Sequence, residues 1–189
     1  MKQILLFIAF TSLMFSVIAN ADVSDQNAKL IQAAKNGDFS EVEAALADGA
    51  DINAKDISSD ATPLMWASQN GHADVVKLLF DKGADVNIKR NTNGTTALMI
   101  ASQNGNTEIV KLLLQKGADV NVRTTSDGAT PLMWASQNGH ADIVKLLLEK
   151  VQDVNVQTLD NGATALWVAS MNKDKRRTFN PALAGNIEL

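Results

Sequence analysis

The chain contains no cysteine and no tyrosine, and it has only two histidines among its 189 residues. The lack of cysteine excludes disulfides, thiol catalysis and metal sites built on thiolates. Aromatic residues make up only 5% of the chain, so leucine, alanine, valine and isoleucine must supply most of a core. The net charge of −4 lacks the basic excess that is typical of nucleic-acid-binding proteins. Apolar residues still account for 46%, which is enough for one packed domain.

The first 21 residues differ in character from the rest. Positive charge at Lys2 and the N-terminal amine is followed by an apolar run from Ile4 to Ile18 and the small residues of Ala19-Asn20-Ala21. This layout predicts a secretory signal peptide over 1–21, cleaved before Asp22. The run is shorter than the ~20 residues of a membrane-spanning helix, and the alternative is an uncleaved anchor. We therefore expect a periplasmic or secreted protein without stable membrane insertion after removal of the signal.

Internal repetition dominates the remaining sequence. Residues 61–74 and 129–142 both read ATPLMWASQNGHAD, and 95–108 reads TTALMIASQNGNTE. Leu64, Leu98, Leu132 and Leu166 follow one another at intervals of 34 residues. The predicted units are a looser copy at 27–60, then 61–94, 95–128, 129–162 and a partial copy at 163–170. A short segment, 22–26, precedes them, and a divergent C-terminal tail or partial cap, 171–189, comes after them.

Each unit predicts a pair of short helices and a loop. In the fourth unit, Thr130 before Pro131 is typical of a helix start, and Gly139 is typical of a helix end. The pattern predicts a helix over 131–138 and a second, apolar-faced helix over about 141–150. An extended stretch with an Asn-Gly or Asp-Gly dipeptide then indicates a β-hairpin. Such a pair cannot bury its apolar face alone, so the units must stack.

The repeated pattern G-x-T-P-L-x-x-A-x-x-x-G-H-x-x-x-V-x-x-L-L-x-x-G-A-D-V-N resembles the ankyrin repeat over about Asn27 to Ser170. The resemblance implies an all-α solenoid of helix-turn-helix units with projecting β-hairpin loops. The sequence also resembles short periplasmic ankyrin proteins of Gram-negative bacteria. Two features depart from the family: Met65, Met99 and Met133 replace its usual histidine, and the period is 34 rather than 33. We interpret the additional residue as a longer hairpin.

The two ends of the repeat array differ. Glu41, Glu43 and Gln32 replace residues that are mostly apolar or aromatic in the middle copies, which indicates a polar capping repeat. At the other end, Val151 replaces the glycine that comes after the second helix, and residues 171–177 contain no glycine. Two interpretations of the tail stay open: a poorly ordered or partly docked segment, or a short non-ankyrin cap with a helix starting near Pro181. The basic cluster there is either solvated or a contact for an acidic partner or lipid surface; its residues are Lys173, Lys175, Arg176 and Arg177.

No catalytic, cofactor-binding or metal-binding constellation is recognisable. His72 and His140 occupy the same position two repeats apart, on the order of 20 Å at one helix thickness per repeat, so they cannot share a metal. We interpret both as scaffold residues at the start of a second helix. The recurring loop aspartates are predicted to bond their own backbone in turns: Asp51, Asp85, Asp119 and Asp153. No glycine-rich phosphate loop is present. The sequence therefore predicts a protein that is not an enzyme and has no cofactor.

The ankyrin resemblance implies a partner-binding surface made of hairpin tips and first helices. The candidate residues on it are Lys55, Lys89, Arg90, Arg123, Ser126, Gln69, Gln103 and Gln137. Lys55, Lys89 and Arg123 share one repeat position and predict a basic row, which is either solvated or suited to an acidic partner. The first-helix tryptophans are either packing residues or binding hot spots; they are Trp66, Trp134 and Trp167.

These expectations combine into an exported, monomeric protein-protein binding module. Its partner is another protein rather than a nucleic acid. Three alternatives remain: an immunity or inhibitor protein that neutralises a toxin or enzyme, a secreted effector scaffold, and a structural protein that self-assembles through an incomplete C-terminal cap.

Overall fold

The computed structural model describes residues 23–151 and 153–178, with the backbone alone for 172–178. The predicted signal peptide, the chain beyond Thr178 and the side chains of the basic cluster lie outside these described residues. Within them the structure is helical and contains no β-strand. The helices are α1 (23–36), α2 (Phe39–Ala47), α3 (Pro63–Asn70), α4 (Ala73–Asp81), α5 (Ala97–Asn104), α6 (Thr107–Gln115), α7 (Pro131–Asn138), α8 (Ala141–Leu148) and α9 (Ala165–Thr178).

The first helices α3, α5 and α7 begin and end through the same residues. In α7, the hydroxyl of Thr130 accepts a hydrogen bond from the backbone N–H of Met133 at 3.3 Å. The helix stops after eight residues at Gly139, whose φ of 74° lies in the left-handed region that favours glycine. A threonine cap and a left-handed glycine also bound α3 and α5. The predicted helix over 131–138 and its stop are therefore confirmed.

The second helices α4, α6 and α8 come after each glycine and carry the apolar face. Gly83 and Gly117, just after α4 and α6, have φ values of 93° and 82°. Val151 occupies the corresponding position after α8, and a β-branched residue is disfavoured in that conformation. Helix α8 is one residue shorter than the nine-residue α6. It ends at Leu148, two residues before the predicted end at Lys150.

The chain divides into two compact units between Ala84 and Asp85. In unit 1, α4 packs against both α2 and α3. In unit 2, α7 packs against α5, α8 and α9, and α6 packs against α5 and α8. Each unit thus buries the apolar faces of neighbouring helix pairs against one another, as the repeat pattern predicts. The largest fully buried side chains include Leu30, Val42 and Leu79 in unit 1 and Leu98, Ile109, Leu113, Ile143 and Leu147 in unit 2.

Both histidines link successive helix pairs. The Nε2–H of His72 donates to the backbone oxygen of Lys35 at 3.1 Å, and that of His140 donates to the oxygen of Gln103 at 3.0 Å. Because a carbonyl oxygen only accepts, each ring carries a proton on Nε2. A Cβ atom added at Gly105 would lie 2.7 Å from Cε1 of His140, so this stop glycine also makes room for the ring. The two histidines therefore have structural roles.

The first helix pair differs from the others in length and polarity. Helix α1 already includes residues 23–26, which the sequence alone assigns to a short segment before the repeats. Gln32, Glu41 and Glu43 are exposed, whereas Val42 is fully buried on the opposite side of α2. The polar side chains thus lie on the outer side of α1 and α2, where a capping repeat requires them.

The last helix, α9, starts like the other first helices but does not stop like them. The hydroxyl of Thr164 accepts from the N–H of Trp167 at 3.3 Å, which repeats the threonine cap. Lys173 stands at the repeat position of Gly139, and the helix continues to Thr178 over 14 residues. No second helix comes after α9 within the described residues.

Candidate partner-binding surfaces

Each connecting loop ends in a tight tip closed by one backbone hydrogen bond. The N–H of Thr124 donates to the oxygen of Ala129 at 3.0 Å, and equivalent bonds close the other three tips. These loop tips comprise residues 56–61, 90–95, 124–129 and 158–163. The fifth residue of every tip has positive φ: Asp60 in the first tip, and Gly94, Gly128 and Gly162 in the others. The predicted hairpins are thus compact turns within the described part of the chain.

Backbone and side-chain bonds join adjacent loop tips in unit 2. The N–H of Thr125 donates to the oxygen of Asn93 at 3.0 Å, and the N–H of Leu159 donates to that of Asp127 at 2.7 Å. The guanidinium of Arg123 donates to the oxygen of Gly128 at 3.1 Å and to that of Gln157 in the next loop. Arg123, a predicted partner-binding residue, therefore ties two loops together.

The other predicted loop residues have mixed environments. Lys55 of unit 1 precedes the first loop tip and pairs with the carboxylate of Asp60 in that tip at 3.3 Å. In unit 2, Lys89 is exposed and Arg90 is half-buried. The exposed Ser126 donates its hydroxyl to Asp127 at 3.1 Å. Lys55 and the pair Lys89 and Arg123 belong to different units, so their predicted basic row stays a prediction.

Two loop-tip aspartates are held in their ionised form by hydrogen bonds. The Ser58 hydroxyl, 2.6 Å from the Asp56 carboxylate, and the N–H of Ser59 lower the pKa of Asp56 to about 2. The hydroxyl of Thr124 lowers the pKa of Asp127 in the same way, although partial burial opposes the shift. Because hydrogen bonds to a carboxylate favour its charged form, both groups carry a negative charge at neutral pH.

The first helices present the predicted glutamines and the tryptophans. Gln69, Gln103 and Gln137 are all exposed. Trp66 is half-buried, with the ammonium of Lys35 4.6 Å from its ring centroid. Trp134 is also half-buried. These two tryptophans thus contribute to packing. Trp167 differs, because half of its surface, 50%, is exposed.

Unit 1 contains a groove of about 630 Å³ between α1 and the first loop tip. Lys55 lines it together with Ile57, whose side chain is fully exposed. The helix side is formed by a mixture of small, amide and apolar side chains that includes Asn27, Ile31 and Gln32. The groove therefore combines loop-tip and first-helix residues, as the predicted binding surface does.

Unit 2 contains a second groove, of about 290 Å³, between its last two loop tips and helices α7 and α9. Of the predicted residues, Gln137 lines this groove. The repeat pattern does not single out the others as a site. The lining residues are Asp127, Gln137, Thr158, Asp160, Asn161, Ala163, Trp167, Val168 and Met171.

No group of three or more histidine or acidic side chains in the described part of the chain is placed to hold a metal ion. No helix among the described residues has the length and apolar character needed to cross a membrane. The loop aspartates of the repeated Asp-x-Asn segments instead accept from the backbone two residues on, as Asp119 does from Asn121 at 2.9 Å.

Helix pairs repeated every 34 residues, stacked within each unit and connected by projecting loop tips, define a helical-repeat protein. A family model of ankyrin repeats in three copies matches residues 30–124, and a second model of ankyrin repeats in many copies matches 105–148. The chain belongs to the ankyrin-repeat family. Among curated proteins, no significant match to this chain was found. The ankyrin repeats indicate protein-protein binding as the class of function.

Proposed function

We propose that this protein is an exported binding module that acts without catalysis and holds a partner protein through loop tips and first helices. The observation that carries the proposal is the groove of unit 2, where residues of two loop tips and two first helices meet. Gln137 and Trp167 are both exposed beside it. A concave surface assembled from consecutive repeats is how repeat proteins bind their partners.

The environments of the ionisable groups support a role without catalysis. A general acid or base needs a proton that it can exchange with a substrate. The rings of His72 and His140 instead hold backbone oxygens of the preceding helix pair. The carboxylates of Asp85 and Asp119 accept from backbone N–H groups in their own loops. These groups hold the scaffold together, so the proposal assigns them no chemical step.

Export is proposed from residues 1–21, whose sequence has the three-part layout of a secretory signal. N-terminal sequencing of the protein from cells that produce it, combined with fractionation, tests this. We expect the first residue to be Asp22 and the protein to appear in the periplasmic or secreted fraction. A chain that retains Met1 and stays with the cytosol would contradict export, and recovery with the membrane would indicate the uncleaved anchor.

Crosslinking capture from the envelope fraction tests partner binding. The wild-type protein is compared as bait with two variants. The double variant carries Gln103→Arg and Gln137→Arg, which add bulk and charge to the first helices. The matched control is Gln115→Arg on α6, an exposed residue outside the proposed surface. We expect one protein to be enriched by the wild type and the control and lost with the double variant. Equal capture by all three would place the binding surface elsewhere.

Capture that enriches nothing from the producing cell's own envelope would instead favour an immunity, inhibitor or effector role toward a foreign protein. Sedimentation at several concentrations tests the proposed monomeric state. A sedimentation coefficient that rises with concentration would favour the self-assembling structural protein.

A further inference from the structure

The groove of unit 2 joins acidic and apolar side chains. Asp127 accepts its three hydrogen bonds at Oδ1, from Thr124, Ser126 and the N–H of Ala129, and none from a described residue at Oδ2. Asp160 is exposed, and its Oδ1 accepts only the N–H of Asn161 next to it among the described residues. Trp167 and Met171, on consecutive turns of α9, are 50% and 47% exposed. The groove thus offers two carboxylates beside a half-exposed indole.

Unit 1 shows what covers a first-helix tryptophan elsewhere in this chain. There, the ammonium of Lys35 lies 4.6 Å from the ring centroid of Trp66, a cation–π contact. Gln137 occupies the repeat position of Lys35, three units further along the chain, and it lines the groove together with Trp167. The groove of unit 2 therefore has a neutral amide at the position of Lys35, and its tryptophan, Trp167, stands one position before the counterpart of Trp66, where α7 has the buried Met133.

The described cation in the loop of Asp127 does not neutralise the groove. Arg123 belongs to the loop that carries Asp127, but it is not among the residues that line the groove. Its hydrogen bonds go to the backbone oxygens of Gly128 and Gln157 rather than to a carboxylate. A positive charge supplied from outside would therefore face Asp127 and Asp160 on one side and the Trp167 ring on the other.

We propose that this groove binds a partner segment that presents a lysine or arginine next to an apolar side chain. The inference rests on the proposed binding function and names the chemistry of the partner. The aliphatic stem of the cation lies on Trp167, its charge faces the two carboxylates, and the neighbouring apolar side chain contacts Met171. An exposed lysine or arginine can lay its stem along apolar surface in this way. The positive charge of this partner segment is opposite to that of the acidic partner that the loop cations suggest from the sequence alone.

Titration of the exported, purified protein with four peptides, each labelled at one terminus, tests the proposal. The probe is the peptide Gly-Ser-Leu-Arg-Ser-Gly, and three controls replace Arg by Gln, Arg by Glu, or Leu by Ala. Binding is followed at the indole N–H resonances of the three tryptophans, assigned through single Trp→Phe variants. Since a one-residue cationic contact is weak, we expect saturation in the range of about 1 mM.

The arginine peptide is expected to shift the Trp167 resonance, with affinity lowered about tenfold for the glutamate peptide and about threefold for the other two. Gln137→Lys, which restores the internal cation of unit 1, and Asp160→Asn should each weaken the arginine peptide about threefold. Gln115→Lys, on α6 and outside both the groove and the proposed surface, should leave its affinity unchanged. No saturable shift, a shift confined to Trp66 or Trp134, or equal affinity for the glutamate peptide would overturn the proposal.

The same variants separate this inference from the proposed function. Envelope capture that succeeds with the wild type and is unchanged by both Gln137→Lys and Asp160→Asn would overturn the groove chemistry and leave partner binding in place. Loss of capture with these two variants, together with the expected peptide affinities, would support both.

Discussion

Helices α7 and α9 start alike and end differently. Each begins after a threonine whose hydroxyl accepts from the third backbone N–H of the helix. Helix α7 stops at Gly139 and is covered by α8, whereas α9 reads Lys173 at that position and continues. Leu132 of α7 is 4% exposed, and its repeat counterpart Leu166 of α9 is 81% exposed. The same repeat position thus holds a buried leucine in α7, which α8 covers, and an exposed leucine in α9, after which the described residues contain no second helix.

This difference separates the scaffold from the proposed binding surface. In the complete repeats, the stop glycine returns the chain so that the second helix covers the first. In the last copy, which lacks that glycine, Trp167 and Met171 are half-exposed beside a pair of loop tips. The part of the array that departs most from the repeat pattern is therefore the part that offers the proposed partner-binding chemistry.

Truncation of the two corresponding leucines should have the largest and most unequal effects. Leu132→Ala removes buried methyl groups and should lower the free energy of unfolding by about 2–5 kcal/mol. Leu166→Ala removes exposed ones and should change it by less than about 0.5 kcal/mol. Urea denaturation of both variants measures the difference. Equal destabilisation would mean that Leu166 is covered in solution.

Alanine substitutions at two of the glycines that end helices should destabilise the protein by different amounts, according to what surrounds each glycine. Gly105 and Gly117 both have positive φ, but a Cβ at Gly117 would meet nothing within 4 Å, whereas one at Gly105 would meet the His140 ring. Gly117→Ala should cost about 1–2 kcal/mol from backbone strain alone. Gly105→Ala should cost about 1 kcal/mol more, from overpacking.

A double-mutant cycle checks this assignment. The additional cost of Gly105→Ala should disappear when it is combined with His140→Ala, because the ring is then absent. Strictly additive free energies of unfolding for the two substitutions would contradict the contact between the ring and the glycine.

Placing the missing glycine in α9 tests why that helix is long. Lys173→Gly restores the residue found at Gly139 and should cost about 0.5–1 kcal/mol of helix stability at that point. We expect the backbone chemical shifts of 174–178 to lose their helical values while those of 165–171 keep them. Helical shifts that persist through Thr178 would show that the glycine alone does not set the end of the helix.

A fall in pH should weaken the hydrogen bonds of the tip that contains Asp127 more than those of the tip that contains Asn161. Thr124 donates its hydroxyl to the carboxylate of Asp127, and Thr158 donates its hydroxyl to the amide oxygen of Asn161 at the same position of the next tip. The pKa of Asp127 is lowered in the folded protein, so its stabilising effect is present above its unfolded pKa of about 3.9 and is lost as the pH falls below it. In the next tip, the residue at the position of Asp127 is Asn161, whose amide does not titrate.

NMR titration of the Ala129 and Ala163 amides, which close these two tips, measures the difference. The Ala129 amide should shift with an apparent pKa below the unfolded aspartate value of about 3.9. The Ala163 amide should not follow that titration, and Asp127→Asn should abolish the shift at Ala129. Identical titration of both amides would contradict the role assigned to Asp127.

Local features of the fold were predictable because their causes lie within one repeat. Thr130 and Gly139 bound α7 through contacts within a few residues, and both histidines were correctly interpreted as structural. The role of Arg123 was not predictable, because one of its acceptors, the oxygen of Gln157, lies 34 residues away in the next loop.

The candidate site was predictable only in outline. Gln137 was selected from the family resemblance, and it does line the groove of unit 2. Trp167 comes 33 residues after Trp134, so the repeat spacing places it one position before the counterpart of the packed Trp66 and Trp134, but its exposure required the structure. Lys173 at the repeat position of Gly139 was the sign in the sequence that the last copy differs from the others. The effect of this difference on the surface could be seen only in the structure.

Site-specific photo-crosslinking in the producing cells tests the central claim most directly. A photoreactive phenylalanine analogue is placed at position 137 on α7 in one strain and at position 115 on α6 in another. We predict that light converts the position-137 protein, and not the position-115 protein, into a covalent adduct with one partner protein. Adducts formed at position 115 alone, or at neither position, would contradict partner binding through the loop tips and first helices.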